Sequence, residues 1–303
     1  MRRRETGLAR VRDLDLCWSL VGEPMSPILM TIMGLGVQMT EWDDAFVGEF
    51  VRAGFQLLQF DNRDSGLSSK VDEAYTLEDM ADDAAGLLDA LGIPRVHVFG
   101  MSMGGMIGQA LAIRHPDRVL SLASVMSTTG AKGVGRTARH VIDAMIGAPP
   151  STGRSAVVAA QLAAAELVNG EGYPLDVEAM RRRAAAAYDR GHYPEGRARQ
   201  SAAIRRSPDR TAALAAVGVP AVVIHGDQDP VMDVSGGRAT AAAIPGARLM
   251  ILPGMGHLVP AELARTVVGA VRANAERART AADSGTEGVS PPTGRGPARP
   301  GSP

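Results

Sequence analysis

A serine between two glycines gives the strongest chemical signal in this sequence. The segment GMSMG, residues 100–104, fits the pattern G-x-S-x-G and lies between an apolar run, RVHVF, and a helix-like segment. A chain that turns sharply there needs glycine on both sides, because side chains would collide with neighbouring backbone. Ser102 is then held out at the end of a strand and beside a helix N-terminus. This context favours a nucleophile; a glycine turn that only packs the helix on the strand is the plainer alternative.

A serine nucleophile needs a general base at neutral pH, and six histidines are candidates. His257 lies in LPGMGHLVP, between a strand-like run and the last helix, where Gly254 and Gly256 allow the loop to turn freely. We predict that His257 is the base, since a loop at this edge of the sheet can reach Ser102. The other five are expected in strands, at a helix end or in an inserted segment: His97, His115, His140, His192 and His225.

The base in turn needs a carboxylate that holds its tautomer and stabilises the imidazolium. The segment AVVIHGDQDPVMD follows a strand-like run and offers three aspartates, of which Asp227 and Asp229 come first. Pro230 favours an extended backbone at Asp229, which projects that side chain from the end of the strand. We therefore predict Asp229 as the acid and keep Asp227 as the second candidate. Both carboxylates would only cap the loop if no triad forms.

An acyl-transfer site also needs donors for the developing oxyanion. One predicted donor is the backbone N–H of Met103, at the start of the helix after the serine. The other is the N–H of Leu35 in the glycine loop IMGLGVQ, where Gly34 and Gly36 let the backbone turn toward the site. Because both donors are backbone groups, the identities of their side chains matter little.

Strand-length apolar runs alternate with helix-like patterns along the chain. The predicted strands are Leu14–Leu20, Pro27–Met33, Phe55–Phe60, Arg95–Phe99, Val119–Met126, Pro220–His225 and Arg248–Leu252. The predicted helices are Glu41–Ala53, Leu77–Leu91, Met103–His115, Gly237–Ile244 and Ala261–Ala275. The alternation predicts an α/β fold with a mostly parallel central sheet and helices on both faces.

The alternation breaks in the middle of the chain. Residues 130–217 are rich in alanine and arginine and have helical spacing, so we predict a helical insertion, called the cap below. Residues 1–129 and 218–275 are predicted to form the core. Residues 276–303 are rich in Pro, Gly, Ser and Arg and are predicted to be a disordered tail.

Bulk properties exclude several classes of protein. The 303 residues carry a net charge of −1, which argues against an electrostatic surface for nucleic acid or an anionic membrane. The single cysteine, Cys17, permits no intramolecular disulfide. No apolar run follows the basic start MRRRE, and none reaches membrane-span length, so we expect a cytoplasmic protein.

Together these motifs resemble the α/β-hydrolase superfamily over roughly residues 10–275. The sequence is similar to the bacterial branch that contains aclacinomycin methylesterase and its relatives. The segments that carry the resemblance occur in the expected order: IMGLG, FDNRDSGLSS, VFGMSMGG, VVIHGDQDPV and ILPGMGH. The order serine, aspartate, histidine is also that of the α/β-hydrolase fold. The resemblance implies Ser102, Asp229 and His257 as the triad, Leu35 and Met103 as oxyanion donors, and a helical cap over the site.

The implied activity is hydrolysis of a carboxylic ester, without cofactor or metal, through an acyl-enzyme. The resemblance further suggests a methyl ester of a polyketide-like or other hydrophobic small molecule as the partner. Candidate substrate contacts are Met33, Gly34, Tyr173, Tyr188 and Tyr193. The same triad could serve a perhydrolase (a cofactor-free haloperoxidase) or a C–C bond hydrolase, and a member of the fold that only binds ligands is a further alternative. The sequence does not determine the oligomeric state.

Overall fold

An eight-stranded sheet forms the centre of the protein. The computed structural model describes residues 4–147 and 151–286, and the structural statements below concern these residues. The strands are β1 Arg4–Val11, β2 Leu14–Val21, β3 Ile28–Ile32, β4 Gln56–Phe60, β5 Val96–Met101, β6 Val119–Val125, β7 Ala221–Gly226 and β8 Arg248–Leu252.

The strand order is β1-β2-β4-β3-β5-β6-β7-β8. Strand β2 runs antiparallel to both of its neighbours, and every other neighbouring pair from β4 to β8 is parallel. The six strands from β3 to β8 therefore all run in the same direction. The carboxyl ends of β3, β5, β7 and β8 all reach the same edge, where the loops predicted to do chemistry begin.

Ten α-helices surround the sheet in the described ranges. They are α1 Asp44–Arg52, α2 Leu77–Ala90, α3 Met103–Arg114, α4 Arg139–Gly147, α5 Arg154–Val168, α6 Val177–Gly191, α7 Pro194–Arg206, α8 Thr211–Leu214, α9 Ser235–Ala243 and α10 Ala264–Thr286. Helices α2, α3 and α9 bury apolar residues against one face of the sheet, and α1 and α10 against the other. The predicted α/β layering is confirmed.

Seven of the strands lie where the apolar runs predicted them, and β1 is an addition. Its sequence, RETGLARV, is mostly exposed and buries only Ala9 and Val11. An antiparallel edge strand needs few apolar residues, because backbone hydrogen bonds to β2 stabilise it. The apolar pattern therefore failed to mark it.

The last helix continues beyond the predicted end of the folded region. The sequence places the start of a disordered tail at residue 276, but α10 runs to Thr286. The Arg277 side chain donates to the carbonyls of Ala221 (3.3 Å) and Gly246 (2.8 Å), and Arg272 pairs with Glu276 at 3.0 Å. These polar anchors hold a segment that composition alone assigned to the tail. Residues 287–303 lie outside the described residues.

The region between β6 and β7 is helical where it is described. It contains α4 to α8, apart from residues 148–150, and corresponds to the segment predicted as the cap. Ion pairs join it to the core: Arg190 contacts Asp61 at 2.6 Å, and Arg199 contacts Asp64 at 2.9 Å. No described helix is long and apolar enough to cross a membrane.

Candidate active site

Ser102 occupies a strained turn between β5 and α3. Its backbone has φ 56° and ψ −120°, a conformation that side-chain-bearing residues rarely adopt. A Cβ on Gly100 would lie 2.2 Å from the Gly104 carbonyl oxygen, and a Cβ on Gly104 would lie 2.0 Å from the Ile32 carbonyl oxygen. Both glycines are therefore required by backbone contacts, and the turn that they permit holds Ser102 at the edge of the sheet.

His257 reaches Ser102 from the loop after β8. Its Nε2 lies 3.0 Å from Ser102 Oγ, and its side chain is 12% exposed. The cap holds this loop, because the His257 N–H donates to the Val168 carbonyl at 2.7 Å and the Gly256 N–H donates to the Asn169 carbonyl at 3.0 Å. A Cβ on Gly256 would lie 2.2 Å from the Val168 oxygen, so this close approach requires glycine.

Asp229 lies on the far side of His257, with Oδ2 2.6 Å from Nδ1. Its other oxygen accepts from the N–H groups of Val231 (2.9 Å) and Met232 (2.8 Å). Burial by itself raises the pKa of this carboxyl, but hydrogen bonds from His225 and His257 outweigh it and lower the pKa to about 2. Asp229 is therefore a carboxylate at any pH near neutrality.

The second candidate acid, Asp227, makes a different contact. Its side chain accepts from the Gly254 N–H at 2.7 Å, and the residue is exposed. Asp227 thus braces the loop that carries His257, whereas the carboxylate that contacts the imidazole is that of Asp229. The structure brings Ser102, His257 and Asp229 together, and their roles in catalysis stay a prediction.

The glycine loop after β3 lies directly beside Ser102. A Cβ on Gly34 would lie 3.4 Å from Ser102 Cβ and 3.8 Å from its Oγ. The Asn62 side chain donates to the Met33 carbonyl at 3.2 Å and fixes the start of the loop. Leu35 follows in this loop, and Met103 lies in the first turn of α3, where N–H groups have no intrahelical acceptor. Both predicted oxyanion donors therefore lie next to the serine.

Helix α7 of the cap also contacts the glycine loop. Gln200 is fully buried, and its Oε1 accepts from the Gly36 N–H at 2.7 Å. Its Nε2 donates to the Arg63 carbonyl (2.8 Å) and to Ser65 Oγ (3.0 Å) in the FDNRDSG turn. Sequence reasoning missed Gln200, because its partners lie more than 130 residues away and no local pattern marks them.

The predicted substrate contacts in the cap have clear partners. Tyr188 stacks on His192 at 5.0 Å between ring centroids. The hydroxyl of Tyr193 accepts from Arg199 at 2.7 Å, and both Arg199 and Lys70 lie over its ring. Tyr173 packs against the apolar cluster that contains Met101 and Met255. Of the three tyrosines, Tyr173 is therefore the one whose described contacts include core residues near His257.

His225 is a second residue that sequence reasoning assigned only to packing. It is fully buried at the end of β7, and its Nε2 donates to the Met232 carbonyl at 2.7 Å. The same nitrogen lies 3.5 Å from Asp229 Oδ2. Its position within a strand gave no sign of this contact, which forms because the chain turns back between residues 229 and 232.

Comparison with known proteins identifies the fold family of the chain. Residues 34–262 match the family model described as the alpha/beta hydrolase fold. The chain belongs to the α/β-hydrolase fold family. The match spans the glycine loop, the serine turn, the cap and the His257 loop, so it includes every element of the site described above.

Two curated relatives of this α/β hydrolase share 30% of its sequence. Rhodomycin D methylesterase DauP of Streptomyces sp. (strain C5) aligns with 88% of this chain and 97% of its own length. Rhodomycin D methylesterase DnrP of Streptomyces peucetius aligns with 85% and 94%. A solved hydrolase from Pseudomonas aeruginosa PA01 is 30% identical, with a TM-score of 0.70 and coverage of 89% and 98%. On this basis the chain is an ester hydrolase in the broad sense.

Proposed function

We propose that this α/β hydrolase cleaves carboxylic esters through an acyl-enzyme on Ser102. The single observation that carries the proposal is the continuous pair of contacts, 2.6 Å from Asp229 to His257 and 3.0 Å from His257 to Ser102. A carboxylate on Nδ1 leaves Nε2 as the nitrogen that accepts a proton. That is the arrangement a serine needs in order to attack at neutral pH.

The first half-reaction forms the acyl-enzyme. His257 takes the hydroxyl proton as Ser102 Oγ attacks the ester carbonyl, and a tetrahedral oxyanion develops. The N–H groups of Leu35 and Met103 stabilise this oxyanion, together with the positive end of α3. His257 then returns the proton to the leaving alkoxide, and the alcohol departs.

The second half-reaction releases the acid. His257 removes a proton from water, which attacks the acyl carbonyl through a second tetrahedral oxyanion. The Ser102 oxygen leaves and takes the proton back from His257. Asp229 remains ionised throughout, because its pKa lies near 2, and it stabilises the imidazolium in both halves.

A methyl ester of a polyketide-like, hydrophobic small molecule is the substrate that we propose. Two relatives at 30% identity are named rhodomycin D methylesterases, and both align over most of their length. The methionines predicted near the site are all buried: Met33, Met101, Met103, Met106 and Met255. Methionine side chains are flexible and polarizable, so methionines beside an ester site would adapt to bulky apolar groups.

The test is methanol release from a panel of methyl esters of aromatic and aliphatic acids, measured for wild type and Ser102→Ala. We expect wild type to exceed the variant by about 10³-fold or more, since the nucleophile is lost. Equal rates of methanol release in the two proteins would rule out the serine mechanism. A parallel assay with acetate, hydrogen peroxide and bromide measures halogenation, because peracetic acid formed by the enzyme oxidises bromide; turnover there without methanol release would favour the perhydrolase alternative.

A further inference from the structure

Arg197, on the cap helix α7, lies directly against the glycine loop. A Cβ on Gly36 would lie 2.9 Å from Arg197 Cγ and 3.2 Å from its Cδ. Gly36 has φ +71°, and Gly34, two residues earlier, is the residue beside Ser102. Two residues of chain span at most about 7 Å. The stem of Arg197 therefore lies alongside the loop that carries the Leu35 oxyanion donor.

Arg197 differs from the other arginines that join the cap to the core. Three of these have carboxylate partners: Arg183 contacts Glu41 and Asp43, Arg190 contacts Asp61, and Arg199 contacts Asp64. Among the described residues, Arg197 has no carboxylate within ion-pair distance and no hydrogen-bond acceptor for its guanidinium. Its guanidinium donors are therefore available to a negatively charged ligand.

The stem of Arg197 packs against Gly36, yet the residue as a whole is exposed to solvent. The protein around it lowers the pKa of the guanidinium by burial. An arginine stays cationic there, because its ordinary pKa is far above neutrality.

We propose that Arg197 binds a carboxylate on the substrate, so that the preferred esters, although largely hydrophobic, also carry an anionic group at a distance from the ester bond. This rests on the proposed function, because it assigns the substrate class of the same Ser102 site. The ester carbonyl lies at Ser102 and the glycine loop, and the free carboxylate accepts hydrogen bonds from the guanidinium.

A carboxylate fits this place better than a phosphate. The planar guanidinium matches the two oxygens of a carboxylate in a bidentate pair. A phosphate site usually adds backbone N–H groups or further cations, whereas two other cations of the cap, Arg190 on α6 and Arg199 on α7, are already paired with Asp61 and Asp64. Arg197 therefore offers a single cation, which matches the single negative charge of a carboxylate.

The test uses two methyl esters of matched length, monomethyl glutarate and methyl pentanoate, which differ by a carboxylate in place of a methyl group. We measure kcat/KM for both in wild type, Arg197→Met and Arg197→Lys. The readout is the ratio of the two values, because a general structural defect lowers both. We expect Arg197→Met to shift this ratio by about 10- to 100-fold toward methyl pentanoate, mainly through KM. Arg197→Lys, which keeps the charge, should restore part of it.

Arg206→Met is the matched control, since Arg206 lies on the same helix and is exposed. It should leave the ratio within about twofold of wild type. An unchanged ratio in Arg197→Met, or a wild-type preference for methyl pentanoate, overturns the assignment of Arg197 and leaves ester hydrolysis standing. Failure of wild type on both methyl esters and on 4-nitrophenyl butyrate overturns the proposed function, which is a separate result.

Discussion

Asp227 and Asp229 stand two residues apart, and their surroundings differ in kind. Asp229 is buried and accepts from two backbone N–H groups besides His257, while Asp227 is exposed and accepts from the Gly254 N–H. Sequence favoured Asp229 through the effect of Pro230 on the preceding backbone. It could not exclude Asp227, because the turn that separates the two side chains depends on contacts from residues 231, 232 and 254.

Asp229→Asn should lower kcat by about 10³- to 10⁴-fold, because an amide no longer holds the Nδ1–H tautomer of His257. The matched variant Asp227→Asn keeps an oxygen that can accept from the Gly254 N–H, so its kcat should stay within about threefold of wild type. Steady-state kinetics on one methyl ester, with circular dichroism to verify folding, measures both. If Asp227→Asn is the crippled variant, the acid has been assigned to the wrong residue.

At the scale of elements, the serine turn is built by glycines that let three backbone segments meet. The sequence predicted that a strand and a helix meet at Ser102, because the requirement for glycine acts within the five residues 100–104. The contacts that hold the turn from outside were not predictable. Val168 and Gln200 hold the His257 loop and the glycine loop from the cap, and their sequence separations leave no local pattern.

Gly104→Ala tests the backbone packing at this turn. The new methyl group would lie 2.0 Å from the Ile32 carbonyl oxygen and 2.8 Å from that of Met33. Since backbone cannot move aside cheaply, we expect a loss of about 2 to 4 kcal/mol in the free energy of unfolding. Urea denaturation provides the measurement.

Gly269→Ala is the control for that experiment. Gly269 lies in α10, and a Cβ there would meet nothing within 4 Å. We expect the free energy of unfolding to rise by about 0.5 to 1 kcal/mol over wild type, because alanine favours the helix. Equal destabilisation by both substitutions would refute the steric account of the serine turn.

Across the whole molecule, elements with a local apolar pattern could be predicted from the sequence, and elements held by contacts between distant residues could not. Six parallel strands are rich in apolar residues, and β2 alternates apolar and polar residues, so these seven strands were recognisable. Strand β1 and the end of α10 are held by backbone and arginine hydrogen bonds instead, and their sequences look like those of exposed segments. The cap was recognisable as helical, but its ion pairs with the core depend on how the chain folds back.

His97 makes the stability of the whole fold depend on pH. It is buried in β5 beside Ser121, at 2.9 Å, and burial lowers its pKa from 6.5 to about 4. In the unfolded chain this histidine takes up a proton as pH falls below about 6.5, while the folded protein does not until about pH 4. Its contribution to stability is therefore complete above pH 6.5 and is lost between 6.5 and 4.

His97→Gln should reduce this pH dependence. Between pH 7 and pH 5 we expect the wild-type free energy of unfolding to fall by about 2 kcal/mol more than that of the variant. The glutamine amide can still bond to Ser121, so the comparison at pH 7 reports packing alone. Urea denaturation at the two pH values measures the difference. Parallel pH dependence in the two proteins would show that His97 titrates normally in the fold.

The central claim, that Ser102 is the nucleophile activated by His257, is tested most directly by covalent labelling. Trypsin should release residues 96–114, VHVFGMSMGGMIGQALAIR, in which Ser102 is the only hydroxyl-bearing residue. After treatment with a fluorophosphonate, mass spectrometry should find the adduct on this peptide in wild type, none in Ser102→Ala, and labelling slowed by orders of magnitude in His257→Ala. Ester turnover with an unlabelled peptide, or equal labelling in His257→Ala, would contradict the account.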